Sequence, residues 1–203
     1  MSKINNKQAK TGPEQAWQRM LSGRRLDLVN PSPLDIEIED IALGLSRVAR
    51  WNGQTTGEHG LSVAQHSIIV LDILDSSVDK ASRDLRRAAL LHDASEFVTA
   101  DLITPFKAVL GDAYKSFEHR IQEAVHLRFG LPARLSTDWN SSIKRADRDS
   151  AFIEAVELAG FSEEEARRIF RFRRARRTGT LTPWPAEKAR IRFLEKFRAV
   201  SPG

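Results

Sequence analysis

The densest chemistry in this 203-residue chain lies in Leu90-Leu91-His92-Asp93-Ala94-Ser95-Glu96. An imidazole and a carboxylate are adjacent there, and a second carboxylate follows four residues after the histidine. Neighbouring helical residues point about 100° apart, so His92 and Asp93 converge on one ion only where a buried helix meets a cavity. Glu96 falls on the face of His92 about one turn along, where it can flank an ion without binding it. A His-Asp pair by itself is usually a solvated acid beside a satisfied histidine, so this one needs partners. His66, in Ser62-Val63-Ala64-Gln65-His66-Ser67, sits among apolar neighbours upstream. Downstream, Lys144-Arg145-Ala146-Asp147-Arg148-Asp149 brings two acids into a helix with apolar residues on both sides. The chain has no cysteine, which excludes disulfides, thiolate metal sites and a cysteine nucleophile. Any metal must be held by carboxylates and by some of only five histidines.

The elements that must position these residues read as helices. The first 12 residues have the character of a disordered leader, and Glu14–Leu21 reads as a short helix behind Pro13. Ile38, Ile41, Leu45 and Val48 recur at three- and four-residue spacing, and Trp51-Asn52-Gly53 ends that helix. Further helices are expected over Leu61–Leu74, Ala81–Ala100 and Ala113–Phe129, with Leu102–Pro105 a break before the last of these. Another runs from Ser136 or Thr137 to Leu158. Ser162, followed by three glutamates, caps the next, and Ala186–Val200 forms the last. No long strand alternation competes. The expectation is an all-α protein with a helical core over 13–160 and C-terminal helices over 161–203 packed on the same domain.

Charge narrows the partners. The net charge is +5 and the isoelectric point near 9.8, but residues 167–177 carry seven arginines and no acid. Removing those seven charges leaves −2 on the other 192 residues. The basicity is therefore one local cluster, which disfavours nucleic acid as a partner. This cluster reads either as a helix with a solvated basic edge or as a surface for an anionic ligand or partner. The polar N-terminus lacks a signal-peptide core, and no apolar run approaches the ~20 residues of a membrane span. A cytoplasmic location and no membrane contact are expected.

The order His…His-Asp…Asp over successive helices resembles the HD-domain superfamily of metal-dependent phosphohydrolases, closest to its YfbR-like 5′-nucleotidases. Three segments carry the resemblance: Arg50-Trp51 with Ser62–Ser67, His92–Glu96 through Asp101-Leu102 and Thr104–Lys107, and Lys144–Asp147. It implies an all-α HD-domain helical bundle in which His66, His92, Asp93 and Asp147 are the metal ligands. Glu96 resembles the residue handling a water or leaving-group proton. Asp101 resembles an acid near the sugar, and Arg50 and Trp51 a pair gripping phosphate and packing on the nucleotide. Lys107 lies in the matching segment as a further substrate contact. Two imidazoles and two carboxylates suit one divalent transition metal, Mn, Co, Fe, Ni or Zn. The implied activity is phosphate removal from a nucleotide or small phosphomonoester, a (deoxy)nucleoside 5′-monophosphate above all, by a homodimer. The alternative is a non-catalytic nucleotide sensor or oligomeric module of the same fold, against which an intact Glu96 argues.

Two positions have rivals. His59, in Gly57-Glu58-His59-Gly60, precedes the same helix as His66, but alignment on Ser-Val-Ala-Gln-His-Ser favours His66. Asp149 is open to the same helix face as Asp147, and the Lys-x-Ala-Asp match favours Asp147. His119 and His126, seven apart, read as helix-surface or dimer-contact histidines rather than a second site.

Overall fold

A computed structural model describes residues 16–170 and 180–201. The leader and most of the arginine cluster lie outside the described residues. Eight α-helices are described: α1 (Ile38–Arg47), α2 (Val63–Ser77), α3 (Arg83–Leu90), α4 (Glu96–Thr99), α5 (Thr104–Arg128), α6 (Thr137–Glu157), α7 (Glu163–Phe170) and α8 (Ala186–Val200). Among the described residues, no helix is long and apolar enough to cross a membrane.

α2 is the axis of the bundle. Every residue from Val63 to Leu71 is buried, so this helix is covered on all sides, by α6, α3, α8 and α1. Serine caps set where α2 and two of the helices around it, α3 and α6, begin. The hydroxyls of Ser62, Ser82 and Ser136 accept from the N–H three residues on, at 3.2 Å each. Ser162 and Glu165 form a reciprocal capping box at the start of α7. The main core joins α1, α2, α3, α5 and α8 through Ile41, Leu45, Leu71, Leu90, Ile121 and Phe193. A second core, around Phe152, Ile153, Leu158 and Ala166, fixes α7 on α6.

Three expectations are corrected. Trp17–Arg19 is a β-strand (β1), paired antiparallel with β2 (Arg25–Asp27), where a helix was read. The reason is a turn: Gly23, at φ +91°, reverses the chain and lets Leu26 enter the core. The Ala81–Ala100 helix is interrupted, because residues 91–95 wind as tight turns between α3 and α4. α5 also starts earlier than expected, at Thr104, since Pro105 occupies its first turn, and it bends at Gly111 (φ +73°, ψ −156°).

One glycine matters for the site. A Cβ at Gly44 would lie 2.8 Å from the Phe97 Cβ and 2.9 Å from the Phe97 carbonyl oxygen. Only glycine lets α1 approach α4 closely enough to seat the His92–Phe97 segment.

Candidate metal centre and adjoining pocket

The interruption after α3 is what turns His92 and Asp93 to one side. The helix ends at Leu90, and successive i→i+3 bonds follow, Ala94 N to Leu91 O and Glu96 N to Asp93 O, both 3.0 Å. Leu90, Leu91 and Ala94 are fully buried and anchor the turn. The His92 Nδ1 takes the Ala89 carbonyl at 2.9 Å. As that carbonyl accepts, Nδ1 carries the proton and Nε2 presents a lone pair.

His66, on α2, is completely buried. Its Nδ1 meets Glu154 Oε1 at 2.6 Å, which likewise leaves Nε2 as the free face of the ring. That Nε2 lies 3.3 Å from Asp147 Oδ1 on α6 and 3.5 Å from Asp93 Oδ2. The His92 Nε2 is 3.2 Å from the same Asp93 oxygen. The two rings stand 5.3 Å apart. Neither Nε2 atom has a hydrogen-bond partner, although both are buried. Ligand atoms of His66, His92 and Asp147 lie within 4.8 Å of one another, a group that can hold a metal ion.

The donor chemistry fits a divalent cation. Two imidazole lone pairs and two carboxylates facing one point repel each other unless positive charge sits among them. Burial and the Arg50 charge lower the His66 pKa, yet Glu154, Asp147 and Asp93 together raise it well above the ordinary value. The carboxylates around His66 thus favour positive charge at this point. Mixed nitrogen and oxygen donors with no thiolate suit Mn, Co, Fe, Ni or Zn.

Beside this cluster opens a cavity of about 890 Å³, lined among others by Arg50, Trp51, Asp93, Glu96, Asp101, Lys107 and Asp147. Arg50 and Trp51 stand on a 3-10 turn, Arg50–Gly53, between α1 and α2. Trp51 and Asn52 are in the left-handed region at φ +58° and +50°. For a bulky residue that conformation costs on the order of 1–3 kcal/mol, which the surroundings must override. They do so through Arg50 N to Leu61 O at 2.7 Å and Trp51 Nε1 to Glu154 Oε2 at 3.0 Å. Phe161 and Phe170 pack on the Trp51 ring at 5.8 and 6.1 Å. Arg50 Nη1 bonds Asp101 Oδ2 at 3.1 Å. Lys107 reaches Glu118 at 2.8 Å and Glu96 at 3.4 Å.

Glu96 is buried, and its Oε2 has no partner. Burial first, then the Asp93 and Asp101 charges, push its pKa up to about 9 against the pull of Lys107 and Arg50. Without a metal ion nearby, its protonated form is therefore favoured at neutral pH.

The structure brings His66, His92, Asp93 and Asp147 together, with Glu96, Arg50, Trp51, Asp101 and Lys107 around the adjoining cavity. It leaves two rivals aside. His59 sits in the loop between the Arg50–Gly53 turn and α2, and neither it nor Asp149 is in the group of His66, His92 and Asp147. His126 corrects the surface reading: it is buried, with Nδ1 on the Ala133 carbonyl at 3.0 Å and Nε2 beside Gln122. His119 is exposed. Glu154 escaped the sequence reading altogether. The signal for it was the spacing Asp147, Ser150, Glu154, which places all three on one face of α6.

An all-α bundle with this cluster set across α2, the α3–α4 turn and α6 defines the class as the HD-domain superfamily. Within it, the family described as 5′-deoxynucleotidase YfbR-like matches residues 43–164, more than half of the chain, and the chain belongs to that family. An uncharacterised protein of Rhodobacter capsulatus is 57% identical over 157 residues, covering 77% of this chain and 80% of its own length. The uncharacterised protein YfdR of Escherichia coli is 35% identical over 103 residues, covering 51% and 52%. A 5′-deoxynucleotidase of Pasteurella multocida is 27% identical over 173 residues, covering 75% and 87%.

Proposed function

We propose that this protein is a metal-dependent phosphomonoesterase that releases phosphate from a (deoxy)nucleoside 5′-monophosphate. Family membership supports a nucleotide phosphohydrolase in general, and the named 5′-deoxynucleotidase relative points to the monophosphate. The observation that carries the reading is the pair of buried, unpartnered Nε2 atoms facing two carboxylates at the edge of a cavity of small-molecule size.

His66, His92, Asp93 and Asp147 would hold one divalent transition metal. When bound, such an ion supplies Lewis acidity toward a phosphoryl oxygen and a more acidic water. The protein's own groups do the rest. Arg50, held by Asp101 and Glu154, presents a fixed guanidinium to the phosphate and offsets charge developing on its oxygens. Trp51, with Phe161 and Phe170, offers an apolar wall to the nucleoside. Asp101 is placed to accept a sugar hydroxyl, and Lys107 adds positive charge near Glu96. Glu96, a buried carboxyl whose burial favours the protonated form, would give that proton to the ester oxygen as the P–O bond breaks. A homodimer in the cytoplasm is part of the same reading.

Metal-stripped protein reconstituted with Mn²⁺ or Co²⁺ should release phosphate from nucleoside monophosphates faster than from a generic aryl phosphate. Equal, metal-independent rates on both would sink the proposal.

A further inference from the structure

Beyond helping to hold Arg50, Glu154 is the most heavily engaged acid of the site. It is fully buried on α6, one turn beyond Ser150 and two beyond Asp147. Oε1 accepts from His66 Nδ1 and Ser150 Oγ, both at 2.6 Å. Oε2 accepts from Trp51 Nε1 at 3.0 Å and Arg50 Nε at 3.4 Å. Each oxygen serves a different half of the site.

We propose that Glu154 is a positioning residue that couples the metal centre to the phosphate grip, one oxygen fixing His66 and the other aiming Trp51 and Arg50. The proposal rests on the reading above for what the two halves bind. On the metal side, an imidazole whose Nδ1 proton is taken by a carboxylate is locked in orientation and presents Nε2 as a stronger ligand. On the phosphate side, the strained Arg50–Gly53 turn has no other side-chain anchor to α6 among the bonds described. A glutamine of the same shape cannot replace Glu154. Its amide NH₂ would confront a donor on one side or the other, because His66, Ser150, Trp51 and Arg50 all donate inward. An aspartate is one methylene too short to keep both sets of contacts.

The test compares the full-length protein with Glu154→Gln and Trp51→Phe in two equilibrium titrations. One is Co²⁺ into metal-stripped protein by calorimetry. The other is inorganic phosphate into protein saturated with Co²⁺, followed by the visible Co²⁺ spectrum. Glu154→Gln should weaken Co²⁺ by about 10–100-fold. It should also weaken phosphate by roughly tenfold at saturating Co²⁺, as expected for a misaimed charge-assisted contact. Trp51→Phe loses only a contact to Oε2 and should keep Co²⁺ affinity within about twofold while weakening phosphate. Glu154→Gln that leaves either affinity at the full-length protein's value overturns the coupling. Should Glu154→Gln fail to fold by circular dichroism, Ser150→Ala replaces it. Removing that hydrogen bond to Oε1 should weaken Co²⁺ several-fold, and an unchanged affinity overturns the proposal. Neither titration needs turnover. A protein that binds Co²⁺ and phosphate as expected but hydrolyses no phosphoester would defeat the hydrolase reading and leave the coupling standing.

Discussion

His66 and His92 hang from segments whose neighbours are almost all buried, whereas Arg50 and Trp51 hang from a strained turn between two helices. The first pair is positioned by the core itself: moving either ring means repacking α2 or the Leu90–Ala94 turn. The second pair is positioned by hydrogen bonds to Leu61, Asp101 and Glu154, beside a cavity that the exposed Ile103, just ahead of α5, also lines. Chemistry common to a superfamily belongs on the rigid half. Substrate choice belongs on the half that a few side-chain changes can re-aim.

That contrast can be broken by mutation, and the largest effect should come from the rigid half. His92→Ala and Asp147→Ala should each lower metal content to background and reduce turnover by on the order of 10⁴-fold. Metal analysis beside a phosphate-release assay checks both. Glu96→Gln should keep its metal and lose about 10²–10⁴-fold in kcat. It has a second signature. A carboxyl whose folded pKa stands near 9 against an ordinary 4.5 binds its proton only in the folded state between those values. Unfolding then releases a proton, so the metal-free protein should lose stability as pH rises through that window. The acids around His66, which raise its pKa against the effect of burial, contribute in the same direction. Glu96→Gln should flatten the decline in urea midpoint measured from pH 5 to 9.

Effects on the adjustable half should be smaller and leave the metal alone. Arg50→Lys keeps a charge but not the fork shared between Asp101 and Glu154. It should cost roughly 10²–10³ in kcat/KM with metal content unchanged; loss of metal in this variant would erase the division between the halves. Gly44→Ala tests the seating of the His92–Phe97 segment from behind. The 2.8 Å approach to Phe97 makes it an overpacking change of about 1–3 kcal/mol, read as a lower thermal midpoint.

The same division governs what the sequence made legible. Helices with regular apolar spacing, α8 among them, and those that also carry serine caps, α2 and α6, lie close to where periodicity puts them. The α3–α4 interruption did not announce itself. No glycine or proline marks it, and it is made by buried anchors and by a histidine side chain taking a helix-end carbonyl. The hairpin at Trp17–Asp27 was hidden because strands of three residues carry no alternation worth counting. Glu154 reads locally as a surface acid in Phe-Ile-Glu-Ala-Val. Its meaning comes from His66, 88 residues away, and from Trp51, 103 away. The cluster residues sit in short motifs; the residues that hold them in place do not.

The central claim is that the buried cluster holds one divalent cation on which nucleotide hydrolysis depends. Stepwise addition of Co²⁺ to metal-stripped protein, with bound metal and release of phosphate from a deoxynucleoside 5′-monophosphate measured at each step, tests it directly. The account predicts that activity rises in proportion to bound metal, reaches its plateau at one equivalent per chain, and is absent in His92→Ala. Full activity without bound metal, or an unchanged plateau in His92→Ala, would contradict it.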